Sequence, residues 1–258
     1  MMSSSPEQSE RDHYDAFFTG SEAQALDQGT GFQLLRRIQA DFLRQKILFP
    51  GAIGSILSVG CGNGEIEMHL ANSHWRLFAF DLSFAGPALG SRRTARRNTT
   101  CLSFGQASLT ELPIASHSCD VVLALSVLHH LRPPERPKAL AEIYRVLGKN
   151  GRFIAYDPSK WRIVRLGKFL VRGKFDALHS PDEEELCPRQ MHRLAQAVGF
   201  ERVQIEFFDM FIDPLVWLLP NMHPGLFRLL YKLDRAMMRF PWKRLASNFF
   251  LIGHKAES

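Results

Sequence analysis

Ile56-Leu57-Ser58-Val59-Gly60-Cys61-Gly62-Asn63-Gly64-Glu65 is the stretch from which the reading of the whole chain starts. Ile56, Leu57 and Val59 have the apolar, β-branched character of an interior parallel strand, and three alternating glycines follow at once. Lacking a Cβ, glycine lets the backbone take positive φ values and lie directly against a ligand, with the amides of the next helix turned towards it. Ile66 and Leu70, one helical turn apart, supply that helix, so strand, loop and helix come in the order that a ligand-cradling turn requires. A dinucleotide fingerprint would place its third glycine where this chain has Glu65, which disfavours a nicotinamide cofactor. A glycine-rich turn without a ligand is the plainer alternative, and the surrounding order weakens it.

Leu57-Ser58-Val59-Gly60-Cys61-Gly62-Asn63-Gly64 resembles the first motif of the class I S-adenosylmethionine-dependent methyltransferases, a family that binds the methionine end of its cofactor on this loop. The resemblance implies an α/β fold: a Rossmann-like, mostly parallel sheet of seven strands with helices on both faces and the last strand antiparallel. It implies S-adenosyl-L-methionine as cofactor, held by Ser58, Gly60, Cys61, Gly62, Asn63 and Gly64. One departure stands out. The position two before the first glycine, commonly acidic in the family, is Ser58, and Glu65 is the candidate replacement for the missing carboxylate.

The 258 residues suffice for one sizeable α/β domain that needs no covalent staples. Cys61, Cys101, Cys119 and Cys187 are far apart, with no C-x-x-C pair, which points to reduced, structural cysteines and no metal site. Met1 to Phe18 is polar and charged without an apolar core, unlike a secretory signal, so a cytosolic enzyme is expected. The net charge of +6 is unevenly spread: residues 159 to 258 carry 16 Lys/Arg against 11 Asp/Glu, and residues 1 to 158 carry 16 against 15. That basic C-terminal part is either a solvated face or a surface for an anionic lipid, an acidic substrate or nucleic acid.

In chain order, residues 1 to about 10 are expected to be disordered and structure to start near His13-Tyr14. Phe32, Leu35, Ile38, Phe42 and Leu43 recur at helical spacing, so residues 1–48 read as a tail and helical cap before the methyltransferase domain at 49–258. In the family an N-terminal Tyr-Asp closes over the cofactor, which makes Tyr14 a candidate contact, with simple packing as the alternative. Trp75 to Phe80 reads as the second strand. Asp81 at its tip lies close to the ~20-residue spacing expected of an acidic residue that accepts hydrogen bonds from ribose hydroxyls, with Leu82 beside it; a helix cap is the other reading of Asp81 and Ser83. Arg92, Arg93, Arg96 and Arg97 lack interleaved aromatics and read as a solvated helix face, so nucleic acid is not expected as a partner.

A strand near Thr99 to Phe104 leads into Ala107-Ser108-Leu109-Thr110-Glu111-Leu112-Pro113, similar to the family's D-A-x-x-L-P-F loop. The match places Ser108 at the adenine amino group and Leu109 beside the ring; a shifted loop would give the contact to Gln106 instead. Val121 to Leu125 reads as a buried strand, with Leu125 at the cofactor, and Ser126-Val127-Leu128-His129-His130-Leu131 resembles the family's segment at the methyl acceptor. Because strand carboxyl ends face the crevice of such a sheet, His129 and His130 are the candidate catalytic bases, and Asp157-Pro158 after the next strand gives a weaker one. Capping or packing is the alternative for the two histidines, and a turn-forming Asp-Pro for Asp157.

Two insertions complete the domain, near 159–186 and 211–246. Lys160 to Lys174 has the pattern of a basic amphipathic helix. The second insertion is apolar, with Leu226, Leu229, Leu230, Leu233 and Met237 in a helical stripe; it reads as an acceptor pocket or an interfacial attachment, or else as a satellite core. The implied function is methyl transfer to a small, apolar or lipid-like acceptor, with peripheral membrane contact left open. A methyltransferase acting on RNA or protein, and a non-catalytic cofactor-binding module, are the alternatives.

Overall fold

A computed structural model describes residues 6–47, 54–71, 74–163 and 183–256. Seven strands form one sheet: β1 (Gly54–Val59), β2 (Trp75–Asp81), β3 (Leu102–Gln106), β4 (Cys119–Leu125), β5 (Leu147–Pro158), β6 (Glu201–Asp209) and β7 (Asn248–His254). Their order is β3-β2-β1-β4-β5-β7-β6, with β7 antiparallel to both of its neighbours and the other pairings parallel. The order runs one way from β1 to β3 and the other way from β1 to β4. A crevice therefore opens above the carboxyl ends of β1 and β4, where the connections diverge.

Side chains alternate across this sheet because strand residues point to opposite faces. Ile56 joins the buried cluster beneath helices α3 (Thr30–Ile47) and α4 (Glu65–Leu70), with Leu43, Ile47 and Leu70. Leu57 and Val59 join the opposite cluster, covered by α6 (Arg136–Val146) and α7 (Pro188–Val198) through Leu140, Ile143, Met191 and Ala195. Ahead of α3 stand α1 (Pro6–Thr19) and α2 (Ser21–Gln28), and α5 (Ala85–Arg96) links β2 to β3.

Several boundaries differ from the sequence reading. Helix α1 already begins at Pro6, so only residues 1–5 of the expected tail lie outside the described residues. The third strand is Leu102–Gln106, later than expected. Strand β5 takes in Lys149-Asn150-Gly151, which the sequence assigns to a turn; Asn150 keeps a turn-like φ of 59° inside the strand, beside a register shift opposite Cys119 and Val121. Of the basic stretch from Lys160 to Lys174, residues 164–174 lie outside the described residues. The four cysteines are free.

The insertion between β6 and β7 folds into α8 (Ile212–Leu218), α9 (Pro224–Met237) and a 3-10 turn over Pro241–Leu245. Its inner side is a satellite core: Ile212, Val216, Met222 and Phe227 pack on Leu26, Phe32 and Leu35 of α2 and α3. Asp234 of α9 is fully buried, and its carboxylate accepts hydrogen bonds from the backbone amides of Met210, Phe211 and Ile212 at 2.8–3.1 Å, capping α8 from a neighbouring helix. Removing that acceptor leaves three amides without their partner. Asp234→Ala is expected to cost about 3 kcal/mol in urea unfolding; a loss under about 0.5 kcal/mol would mean that water replaces the carboxylate.

Candidate functional site

The glycine loop closes β1 with three left-handed residues, Gly60, Gly62 and Gly64, at φ 68°, 53° and 77°. Each is also hemmed in. A Cβ on Gly60 would meet Val127 at 2.4 Å, one on Gly62 would meet Phe18 at 2.8 Å, and one on Gly64 would meet Phe104 at 2.3 Å. Backbone strain and packing thus exclude any other residue twice over. Gly62 donates its amide to Asp81 Oδ2 at 2.7 Å, and Ser83 donates to Asp81 Oδ1 at 2.9 Å, so the tip of β2 holds the loop after β1. Each carboxylate oxygen keeps a lone pair for a further donor. Ser83 Oγ accepts from Gly86 at the start of α5, so the capping reading holds for this pair of residues alongside any ligand role.

A cavity of about 340 Å³ lies over this loop and the ends of β1, β2 and β4. Gly60, Cys61, Gly62, Asn63, Asp81, Leu82, Ser108, Leu109, Leu125, Tyr14, His129 and His130 all line it. Ser58 and Gly64 do not: Ser58 is fully buried within the sheet, and Gly64 is packed under Phe104. Their part in the site is indirect. Ser58 Oγ donates to Glu67 Oε1 at 2.6 Å, and Glu67 lines the cavity from α4. Two carboxylates from α4 thus reach the cavity near position 58, Glu67 paired with Ser58 and Glu65 paired with Arg36 at 3.5 Å. Burial pushes the Glu67 carboxyl up, with the Ser58 hydrogen bond opposing it. Gln106 stands outside the cavity, its amide donating to the Leu82 carbonyl, while Ser108 hydrogen-bonds Thr110 at 3.0 Å. Asn63 donates to Asp27 of α2, which Arg93 also pairs, so one of the four arginines after β2 serves the site's frame.

The roof is built from both chain ends. Helix α1 contributes Glu10, Tyr14, Phe17 and Phe18, and α8 contributes Trp217 and Leu218. Asp15 fastens α1 by accepting from the amides of Phe84 and Ala85 at 2.8 Å, at the start of α5.

Beyond β4, a 3-10 turn over Leu128–His130 presents two histidines to different partners. His129 Nδ1 lies 2.8 Å from Asp157 Oδ1, and its backbone amide also donates to that oxygen at 3.2 Å; its Nε2 lies 3.9 Å from Glu183 Oε2. His130 Nδ1 lies 3.0 Å from Glu10 and 3.5 Å from Glu183. Tyr14 donates its hydroxyl to Glu183 at 3.0 Å and stands edge-on to the His130 ring. Burial lowers the affinity of His130 for a proton, but the hydrogen bond to Glu10 and the charges of Glu183 and Glu10 override it, and its pKa moves up. Burial, followed by the charges of Glu183 and Glu10, pushes the Tyr14 phenol well up, keeping it a neutral donor. Donor atoms of His129, His130 and Glu183 fall within 4.8 Å of one another, close enough for one cation. The hydrogen bonds and ion pairs just described already account for that closeness.

Residues 57–155 match the Methyltransferase domain family. Over those residues the chain carries a class I S-adenosylmethionine-dependent methyltransferase domain. It is 31% identical over 110 residues to 27-O-demethylrifamycin SV methyltransferase of Amycolatopsis mediterranei, across 40% of this chain and 38% of that protein. It is 26% identical over 174 residues to the tRNA N(3)-cytidine methyltransferase METTL2 of Danio rerio, across 60% and 48%. The chain thus spans about half the length, or less, of these relatives. Among solved structures, phosphoethanolamine N-methyltransferase 2 of Haemonchus contortus, in complex with S-adenosyl-L-methionine, shares the fold at a TM-score of 0.61 and 14% identity, over 84% of this chain and 52% of that one.

In this methyltransferase domain, the residue that sequence reading undervalued is Asp157, whose role shows only when β5 brings it beneath His129. Burial raises its carboxyl from 3.8 to about 8, with the His129 amide opposing. The folded chain then holds a proton that the unfolded chain releases, so the stabilising contribution of this group is complete below about pH 4 and lost as pH rises through about 8. Asp157→Asn keeps the neutral shape at every pH. Its melting temperature relative to wild type is expected to climb between about pH 4 and pH 8 and then level off; a difference flat with pH would contradict the buried, proton-holding carboxyl.

Proposed function

We propose that the protein transfers a methyl group from S-adenosyl-L-methionine to a small, largely apolar acceptor, and that the His129–Asp157 pair takes the acceptor's proton. The 2.8 Å contact between His129 Nδ1 and Asp157 Oδ1, beneath a cavity that His129 lines, carries this reading. The chain's own residues fit the cofactor. The backbone of Gly60 to Gly62 offers close approach, Asp81 has lone pairs free at the tip of β2, and Leu82 and Leu109 give apolar walls for an adenine between them. When bound, the cofactor supplies an electrophilic sulfonium methyl, whose transfer needs an aligned nucleophile and no covalent enzyme intermediate.

Asp157 fixes the His129 ring so that Nε2 is the nitrogen left to receive a proton, and a carboxylate behind it stabilises the imidazolium that forms. His130 plays a different part. Paired with Glu10 and Glu183, whose charges raise its affinity for a proton, it ties α1 to the wall of the cavity and leaves His129 as the base. A hydroxyl or an acidic carbon acid is the acceptor type that requires such a base. Phe17, Leu26, Phe32, Trp217 and Leu218 give the cavity its apolar side, and the helices that bear them roof it, which favours a small molecule over a polymer. The rifamycin-type relative acts on a small molecule and the tRNA relative on a polymer, so the roof, not the likeness, supports this choice.

Four outcomes test the reading. Asp81→Ala is expected to weaken calorimetric binding of S-adenosyl-L-methionine by about 10- to 100-fold, and His129→Asn to leave that binding intact while lowering kcat by about 10²- to 10⁴-fold. The kcat of the wild type is expected to rise with pH through about 8, where Asp157 ionises, and Asp157→Asn to abolish that limb. A chelator is expected to leave the rate unchanged; loss of activity on chelation, restored by a divalent ion, would convert His129, His130 and Glu183 from a proton-handling cluster into a metal site.

A further inference from the structure

Helix α9 has three faces, where a helix on a soluble domain needs two. Advancing by about 100° per residue, Phe227, Leu230 and Asp234 fall together and face the satellite core. Arg228, Lys232 and Arg235 share a second, exposed face, and Leu226, Leu229 and Leu233 a third. Those three leucines are 47%, 56% and 51% exposed, which no packing within the described residues explains. The surface continues past the helix. Phe240 and Trp242 stack on each other with ring centroids 4.9 Å apart, both about half exposed, with Leu245 beyond them. At the other end, Leu219 is 52% exposed and directly follows Trp217 and Leu218 of the cavity wall.

Charge decides what covers this surface. Between Pro214 and Ser247 the cations are Arg228, Lys232, Arg235, Arg239, Lys243 and Arg244, all exposed, and the one carboxylate is Asp234, fully buried under α8. A second copy of the chain docking through the same face would bring cations against cations. A nucleic acid would use the cations but leave the leucines in water, since the aliphatic side chains offer no stacking platform. An anionic bilayer uses both. Its acyl boundary takes up the leucines, Phe240 and the Trp242 ring, while the long Lys and Arg side chains reach back to the phosphates. Tryptophan at the edge of such a patch matches the preference of indole for the interface. No described helix is long and apolar enough to cross a membrane, so the contact lies along the surface.

We infer that the leucine and tryptophan face of residues 219–245 docks on an anionic phospholipid bilayer, lying in its interfacial plane. This inference stands on the surface alone and holds whichever reaction the cavity performs.

Sedimentation of the full chain with vesicles tests it, comparing pure phosphatidylcholine with phosphatidylcholine containing phosphatidylglycerol. Binding to the anionic vesicles is expected, weakened at least tenfold by Leu229→Ser/Leu233→Ser and also by Lys232→Glu/Arg239→Glu, with binding of S-adenosyl-L-methionine unchanged in both variants. Trp242 emission is expected to shift to the blue on binding, an effect absent in Trp242→Phe. Four results would overturn the inference: no binding to anionic vesicles at low salt; binding that neither variant weakens; binding lost with the charges but untouched by the leucine changes, which is the behaviour of a general polyanion site; or a dimer in light scattering that the leucine changes dissociate.

Discussion

Left-handed backbone at Gly60, Gly62 and Gly64 does more than turn the chain from β1 into α4, because each glycine accepts a neighbour where its Cβ would be. Val127, from beyond β4, presses on the first; Phe18, from α1, on the second; and Phe104, from β3, on the third. Three elements distant in sequence are thereby brought to within contact of one loop. The last residues before the histidines, the helix that roofs the cavity and the edge strand take their positions from an absence of side chain. Substituting any of these glycines would move the histidine turn, the roof or the edge strand together with the loop.

The second constraint is electrostatic. Glu67, Asp157, Asp209, Asp213 and Asp234 are all nine-tenths or more buried, and burial pushes each carboxyl upward. Each has a partner suited to its position: Ser58 for Glu67, His129 for Asp157, Asn248 bridging Asp209 and Asp213 at 2.9 Å, and three backbone amides for Asp234. Three of the five fasten parts of the fold to each other, since Asp209 and Asp213 share Asn248, which starts β7, and Asp234 belongs to α9. Asp157 is of another kind. Its partner is a titratable ring at the cavity, so the cost of its burial is tied to a proton that can move.

Strand and loop geometry were legible in the sequence because they depend on local order. A strand, three glycines and an acidic residue at the next strand end can sit only at the carboxyl edge of a parallel sheet, and Asp81 does reach the loop through the Gly62 amide. Partners that meet across the fold were not legible. Glu67 lies nine residues from Ser58 and faces it only because α4 folds back over β1, and Glu10 and Glu183 reach the same nitrogen of His130 from distant parts of the sequence. No spacing encodes those meetings. Equally, adjacent His129 and His130 look equivalent in sequence, and only the placement of carboxylates beside them separates a ring backed by Asp157 from one paired with Glu10 and Glu183.

The insertion after β6 shows how one apolar pattern can hold two answers. Its helical stripe is read in sequence as a single feature, yet the fold divides it. Phe227 and Leu230 turn inward to a core that α2 and α3 complete, whereas Leu229 and Leu233 stay outside it. Stability needs only the first set, because Asp234 and the satellite core already hold α9 in place. Leucines left in water on a folded surface confer no stability and raise the risk of association, so a chain keeps them where another apolar phase meets them. Six exposed cations between Pro214 and Ser247, a stretch with no exposed carboxylate, restrict that phase to one bearing negative charge.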